Sequence, residues 1–145
     1  YASYEHAVFS SKNRRAFLVA ESQEDVFAYL AKAIQQSGCQ CLIVGGHQEH
    51  VHLLYRKNKD IYTKDLLKEI KRQSSVWIKE EGLAERDFYW QTGYGAFSIS
   101  YWDLEKIRNY ISKQAQHHKK YTWEEEYRKL LLKHGVDFDE RFFLD

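Results

Sequence analysis

Apolar positions along the chain recur at two spacings, and the switches between them divide it into elements. Tyr4–Ser10 (YEHAVFS) concentrates aromatic and β-branched residues and reads as a strand. Val26, Phe27, Leu30, Ala33 and Ile34 then recur at helical spacing, predicting a helix over 23–37 with Ser22 and Asp25 as a capping box and Gly38 as its stop. Two apolar runs, Cys39–Val44 and His50–Arg56, flank Gly45-Gly46 and predict a hairpin whose loop extends through Glu49.

A second helix is expected from Thr63 as N-cap to Gly82. Leu66, Leu67, Ile70, Ser74, Trp77 and Ile78 form its buried stripe, and Lys64, Lys68, Lys71, Arg72, Ser75 and Lys79 the opposite one. Phe88–Ser100 (FYWQTGYGAFSIS) is β-like but interrupted by Gly93 and Gly95, so a strand is expected after that loop. Ser100 with Asp103 opens a helix to residue 118, and Thr122 with Glu125 opens a last one that stops at Gly135. The order β-α-β-β-α-β followed by helices predicts an α+β fold. It is a ferredoxin-like or RRM-like split βαβ with an antiparallel sheet and additional C-terminal helices. At 145 residues the chain suits one domain, 1–145.

Composition narrows the class. Apolar residues make up 43% and aromatics 16%, too many for a disordered chain. No apolar run approaches the ~20 residues of a membrane span, and no signal-peptide pattern opens the chain. A cytoplasmic protein is expected, with its first residues removed, since no methionine is present. Cys39 and Cys41 fall on one side of a strand; such a pair binds metal if partners are near, but a reduced cytosolic thiol pair is the expectation. The formal net charge of +1 does not mark a nucleic-acid binder. By segment the picture differs: 1–20, 56–79 and 101–120 are basic, whereas 21–55, 80–100 and 121–145 are acidic. If folding segregates these segments, a positive face forms; otherwise they are solvated helix surfaces.

Two spacings carry chemistry. In His50-Val51-His52, strand alternation puts both imidazoles on one face, where they can share a divalent ion; surface histidines also give this pattern by chance. Tyr110 and Gln114 are one helical turn apart and project from one patch, an arrangement that a packed tyrosine beside a solvated glutamine also produces. His6 adjoins the pair if its strand neighbours His50–Arg56, or is a core histidine. His117 and His118 could touch DNA or metal, but residues so placed are more often solvated helix-end residues favoured by the dipole.

Together these halves resemble the IS200-like transposases of the HUH class (the IS200/IS605 family). The resemblance runs through HAVFSSKNRRAFL, GGHQEHVHLLYR, LLKEIKRQSSVWIKE, FYWQTGYGAFSIS, IRNYISKQAQHH and the closing LLLKHGVDFDERFFLD. It implies that 1–145 is a single HUH transposase domain. Metal ligands are implied at His50, His52 and Gln114, with Mg²⁺ or Mn²⁺ as the ion and Tyr110 as the nucleophile. The implied activity is cleavage and rejoining of single-stranded DNA at transposon ends through a 5′-phosphotyrosine, with hairpins recognised nearby. A homodimer is also implied, in which the tyrosine of one subunit can face the histidines of the other. The family usually has proline where Ala16 stands. The setting would be a bacterial or archaeal cytoplasm, at the nucleoid when DNA is bound.

DNA contacts are expected from Lys12, Arg14, Arg15, Lys64, Lys68, Lys71 and Arg72, with Trp90, Tyr94 and Phe97 as candidate stacking residues or core. Two other functions fit parts of the pattern. One is a repurposed module that binds DNA or RNA hairpins without cutting; the other is a zinc hydrolase built on the histidine pair alone.

Overall fold

A computed structural model describes residues 1–145. Its elements are β1 (Tyr4–Ser10), α1 (Ala20–Gln36), β2 (Gln40–Gly46), β3 (His50–Arg56), α2 (Thr63–Glu80) and β4 (Gly95–Ile99). Then come α3 (Leu104–Ser112), α4 (Gln114–His117) and α5 (Trp123–Lys133). The four strands form one sheet in the order β2-β3-β1-β4, and every neighbouring pair is antiparallel. This is the split βαβ arrangement expected from the order of elements, with three helices appended.

Alternation along the strands gives the sheet two different faces. Ala7, Phe9, Val51, Leu53 and Tyr55 point into the main core, a 17-residue cluster shared with Val26, Leu30 and Ile34 of α1 and Leu66, Leu67 and Ile70 of α2. The intervening residues face α3 and α5. There Val8 and Phe97 pack on Trp123, Tyr127, Leu130 and Leu131, while Leu54 and Ile99 pack on Ile111. Between these two small clusters lie the histidines. No helix is long and apolar enough to cross a membrane.

Several boundaries differ from expectation for local reasons. Helix α1 begins at Ala20, because the backbone N–H of Ser22 already closes a turn onto the Val19 carbonyl; Ser22 is inside the helix and caps nothing. Tyr62, not Thr63, precedes α2, and the Thr63 hydroxyl donates instead to the Glu5 carboxylate. Residues 88–94 do not extend β4. They fold beneath α2, with Trp90 Nε1 donating to Ser74 Oγ at 2.9 Å and bridging to Ser11. The Ser100 hydroxyl donates to Asp103 Oδ2 and precedes a single 3-10 turn rather than a long helix. The helix expected to reach residue 118 breaks at Lys113 (φ −103°, ψ 20°), separating α3 from α4. The Thr122–Glu125 capping box is present, and the stops at Gly38, Gly82 and Gly135 hold. Both cysteines are free thiols.

Candidate active site

The antiparallel register brings the histidines together. His52 lies opposite Val8 and His50 opposite Ser10, so His6 is the diagonal neighbour of His52 on the same face. His6 Nε2 lies 2.8 Å from His52 Nδ1, and both rings are fully buried. Two glycines let helices close over this face. A Cβ at Gly45, opposite His52, would come within 2.7 Å of Ile111 Cγ2 and 2.9 Å of the Ile111 carbonyl oxygen. A Cβ at Gly95 would come within 2.8 Å of Tyr127 Cε1. The first glycine admits α3, which carries Tyr110; the second admits α5, which carries Glu126.

Tyr110 stands with its ring centroid 5.7 Å from that of His52 and 6.2 Å from that of His6. Despite the break at Lys113, Gln114 still falls on the same patch. Its Oε1 lies 2.8 Å from His50 Nε2, and its Nε2 donates to Glu126 Oε2 at 2.8 Å. The Tyr110 hydroxyl donates to that same Glu126 oxygen. Glu126 Oε1 completes the cluster, 3.2 Å from His50 Nε2, 3.4 Å from His52 Nε2 and 2.9 Å from His118 Nε2. Behind His50, the Glu49 carboxylate lies 2.7 Å from Nδ1, and the Trp123 ring stacks at 4.2 Å. One carboxylate therefore connects three imidazoles, an amide and a phenol.

Burial and mutual charge set the protonation states. Burial opposes ionisation of Glu126, but the surrounding His52, His118 and His50 imidazoles hold it far below the usual carboxylate range. Burial likewise lowers His50, yet hydrogen bonds with Glu126 and Glu49 outweigh it and raise the imidazole to about 8. His52 is lowered by burial, and His6 well lowered by burial and by His52, so both are neutral near pH 7. Burial pushes the Tyr110 phenol up, and the adjacent Glu126 charge pushes it further. The phenol thus keeps its proton in this arrangement while pointing it at a base.

The donor set fits a divalent cation. Ligand atoms of His50, His52 and Glu126 all lie within 4.8 Å of one another, and the 3.2 and 3.4 Å from Glu126 Oε1 to the two imidazole nitrogens suit bonds of ~2.0–2.2 Å to one ion. His52 Nε2 is completely buried, has no hydrogen-bond partner and faces the carboxylate. An orphaned imidazole nitrogen beside an ionised carboxylate is an arrangement that a cation completes. Gln114 Oε1 stands beside this trio as a further oxygen donor.

Of the residues singled out from sequence, His50, His52, Tyr110 and Gln114 converge within one chain. The basic candidates do not. Lys12 and Arg14 are exposed on the loop after β1, whose Ser11 N–H donates to the Glu49 carbonyl. Arg15 pairs with Asp87, and Arg72 with Glu69. Lys64 and Lys68 are exposed on α2, across the sheet from Tyr110. Lys71 is half-buried and donates to the carbonyls of Gln91, Thr92 and Gly93, with burial pulling its ammonium down to about 8. Trp90 and Phe97 are core residues. The basic segment 56–79 and the active-site face are thus on opposite sides, and acidic segment 121–145 supplies Glu126, so folding does not segregate the basic segments onto one face.

The sequence pattern does not single out Glu126 or Glu49, and it leaves the role of His118 open. A signal for Glu126 was present: it occupies the buried stripe Trp123, Glu126, Tyr127, Leu130, Leu131, where a carboxylate is out of place unless partnered. Its position in a run of three glutamates at a helix N-terminus concealed this, because acids there complement the dipole.

Residues 1–114 match the family model described as "Transposase IS200 like". The chain is similar in fold to a candidate transposase from Deinococcus radiodurans R1 solved by crystallography, at 22% identity and TM-score 0.64, covering 79% of this chain and 92% of that one. It is also similar to a REP-associated tyrosine transposase solved bound to a REP hairpin, at 18% identity and TM-score 0.61, covering 80% of this chain and 68% of that one. No curated protein matches the sequence.

Proposed function

Since the chain belongs to the IS200-like transposase family, we propose that it cuts and rejoins single-stranded DNA at transposon ends through a covalent 5′-phosphotyrosine on Tyr110. The observation that carries this reading is the shared carboxylate. Glu126 accepts the Tyr110 hydroxyl hydrogen bond and also faces His50 and His52, so nucleophile, proton acceptor and cation ligands meet at one point.

In the proposed step the Tyr110 oxygen attacks phosphorus, and its proton passes to Glu126. The bond from phosphorus to the 3′ oxygen breaks, and that oxygen leaves as a 3′-hydroxyl after taking up a proton. The phosphodiester becomes a phosphotyrosine ester, so a 3′-hydroxyl can later reverse the exchange and rejoin DNA without ATP. His50, His52 and Glu126, with Gln114 beside them, would hold Mg²⁺ or Mn²⁺, which when bound supplies Lewis-acid stabilisation of charge on a non-bridging phosphate oxygen. Glu49 fixes the His50 ring through Nδ1, and His6 fixes that of His52, leaving each Nε2 turned to the shared point. Glu126 is a weak base here and the phenol, ~10 when free, is raised, so the proton passes along this hydrogen bond only as the bond to phosphorus forms and makes the phenol proton acidic.

All these groups lie in one chain, which supports attack in cis whether or not the protein forms a homodimer. Hairpin recognition near the cleavage site is part of the proposal, supported by the fold shared with a protein solved on a hairpin. The test is cleavage of single-stranded transposon-end DNA, with and without Mn²⁺ or Mg²⁺, by wild type and Tyr110→Phe. Metal-dependent cleavage lost in the variant is expected. Hairpin binding without cleavage by wild type on any end would replace this reading with that of a binding module.

A further inference from the structure

Beside Tyr110 the surface opens into a cleft of about 670 Å³, bounded on one side by the outer face of α5. That volume lies within the ~300–1,000 Å³ usual for ligand sites. Tyr110, His118 and Glu126 are part of its wall, so the cleft leads directly onto the nucleophile. Lys129 and Lys133 are one helical turn apart on the exposed side of α5, and neither forms an ion pair. The other charges along the cleft are engaged locally: Glu126 is buried against His50, His52 and His118 at the Tyr110 end, Glu125 accepts from Thr122 in the capping box, and Arg128 pairs with Glu124 and Glu140. Lys129 and Lys133 are thus the unpaired cations of the cleft, on its exposed side.

Aromatic surface accompanies them. Tyr121 is 42% exposed and carries the Lys129 ammonium 4.7 Å over one ring face. The His117 ring lies 4.8 Å from that of Tyr110 and leaves its Nε2 without a partner. Cations aligned with an exposed aromatic are what a single strand requires, its phosphates following the charge and its bases stacking. A duplex offers no free base face to Tyr121. Apart from Tyr110 these residues lie beyond 1–114, so the likeness to the family does not supply them.

We propose that this cleft seats the single-stranded DNA flanking the cleaved bond, with Lys129 and Lys133 on its phosphates and Tyr121 stacked on a base. The proposal rests on the reading of Tyr110 as the nucleophile for its purpose, but its binding test stands apart from cleavage.

The test uses a fluorescein-labelled single-stranded oligonucleotide of about 20 nucleotides, longer than the ~4–16 that such sites cover. Its anisotropy is measured with wild type, with Lys129→Glu/Lys133→Glu and with Lys64→Glu/Lys68→Glu. The α5 pair is expected to weaken binding at least about tenfold. It should also flatten the dependence of log K on log salt by ~1.4, from two lost contacts of ~0.7 each. The α2 pair should change affinity less than about threefold, and Tyr121→Ala should weaken it roughly fivefold or more. Photocrosslinking of a 5-bromodeoxyuridine version should map to residues 117–133. The proposal is overturned by an α5 pair that binds as wild type does, by an equal or larger loss in the α2 pair, by crosslinks confined to α2, or by a wild type that does not bind. Groove-dependent binding with no wild-type cleavage of any transposon end would remove the enzymatic reading and leave the cleft. Wild-type cleavage with binding indifferent to the α5 pair would do the reverse.

Discussion

Val51 and Leu53 point from β3 into the core beneath α1 and α2; His50 and His52, alternating with them, point the opposite way into a cluster of titratable groups. Both faces are closed to solvent, but they are held differently. The first is a continuous apolar cluster, stabilised by burial and insensitive to pH or ions. The second has two small apolar patches separated by three buried histidines, a glutamine and a glutamate joined by hydrogen bonds. Such a network is stable only while every member is satisfied, and His52 Nε2 is not. One face of the sheet gives the fold its stability, and the other uses that stability to hold a reactive arrangement.

Neighbouring residues on β3 separate the two roles most sharply. His52→Ala should reduce DNA cleavage by about a thousandfold or more, since it removes a cation ligand, while the variant stays folded. Leu53→Ala should cost ~2–5 kcal/mol in urea denaturation yet leave cleavage by the folded protein near wild type. Equal stability losses for the two would erase the distinction between the faces.

Glu126→Gln comes next. Loss of a proton acceptor predicts cleavage slower by about a hundredfold or more in single-turnover assays. The same substitution should remove stabilisation by Mn²⁺, which for an intact site reaches ~2.7 kcal/mol at an ion concentration 100 times the dissociation constant. A Glu126→Gln protein that Mn²⁺ still stabilises as it does wild type would leave the imidazoles and Gln114 as the ligands.

In metal-free protein the site face should also make stability depend on pH. His50 is raised to about 8 from the 6.5 of an unfolded chain. Its contribution is therefore complete below pH 6.5 and lost as pH rises through about 8. At ~1.4 kcal/mol per unit it amounts to about 2 kcal/mol. His6 and His52 are lowered, so their contributions are present above pH 6.5 and lost as pH falls. Urea denaturation between about pH 5 and 9 should find greatest stability between these limits, with the alkaline loss reduced in Glu126→Gln. A profile flat from pH 6.5 to 9 in wild type would contradict the assignment of His50.

The smallest effect concerns a residue that sequence alone places among the DNA contacts. Lys71→Met should lower stability by ~1–3 kcal/mol, because three carbonyls of the 91–93 segment lose a charged donor. Affinity for single-stranded DNA should not change.

These contrasts also show what the chain discloses before folding. The β1 and β3 boundaries and the histidine pair follow from alternation, which depends only on local geometry. The helix stop at Gly135 and the Thr122 cap are equally local. The break at Lys113 was not legible, since no proline or glycine marks it. Nor was the contact of Glu126 with His50 and His52, separated by more than seventy residues and dependent on the close approach that Gly45 and Gly95 permit. Charge counted by segment misleads because it ignores which layer a segment joins: segment 56–79 has the largest basic excess, and α2 within it lies across the sheet from the site.

The central claim, that Tyr110 is the group that bonds to DNA, has a direct measurement. Wild-type protein is reacted with single-stranded transposon-end DNA and Mn²⁺, digested with nuclease and trypsin, and analysed by mass spectrometry. Trypsin releases Tyr110 in the peptide Asn109–Lys113, where it is the only tyrosine. The account predicts a nucleotide remnant on that peptide and none in Tyr110→Phe. A remnant on Tyr101 or Tyr121, or an adduct that persists in Tyr110→Phe, would contradict it.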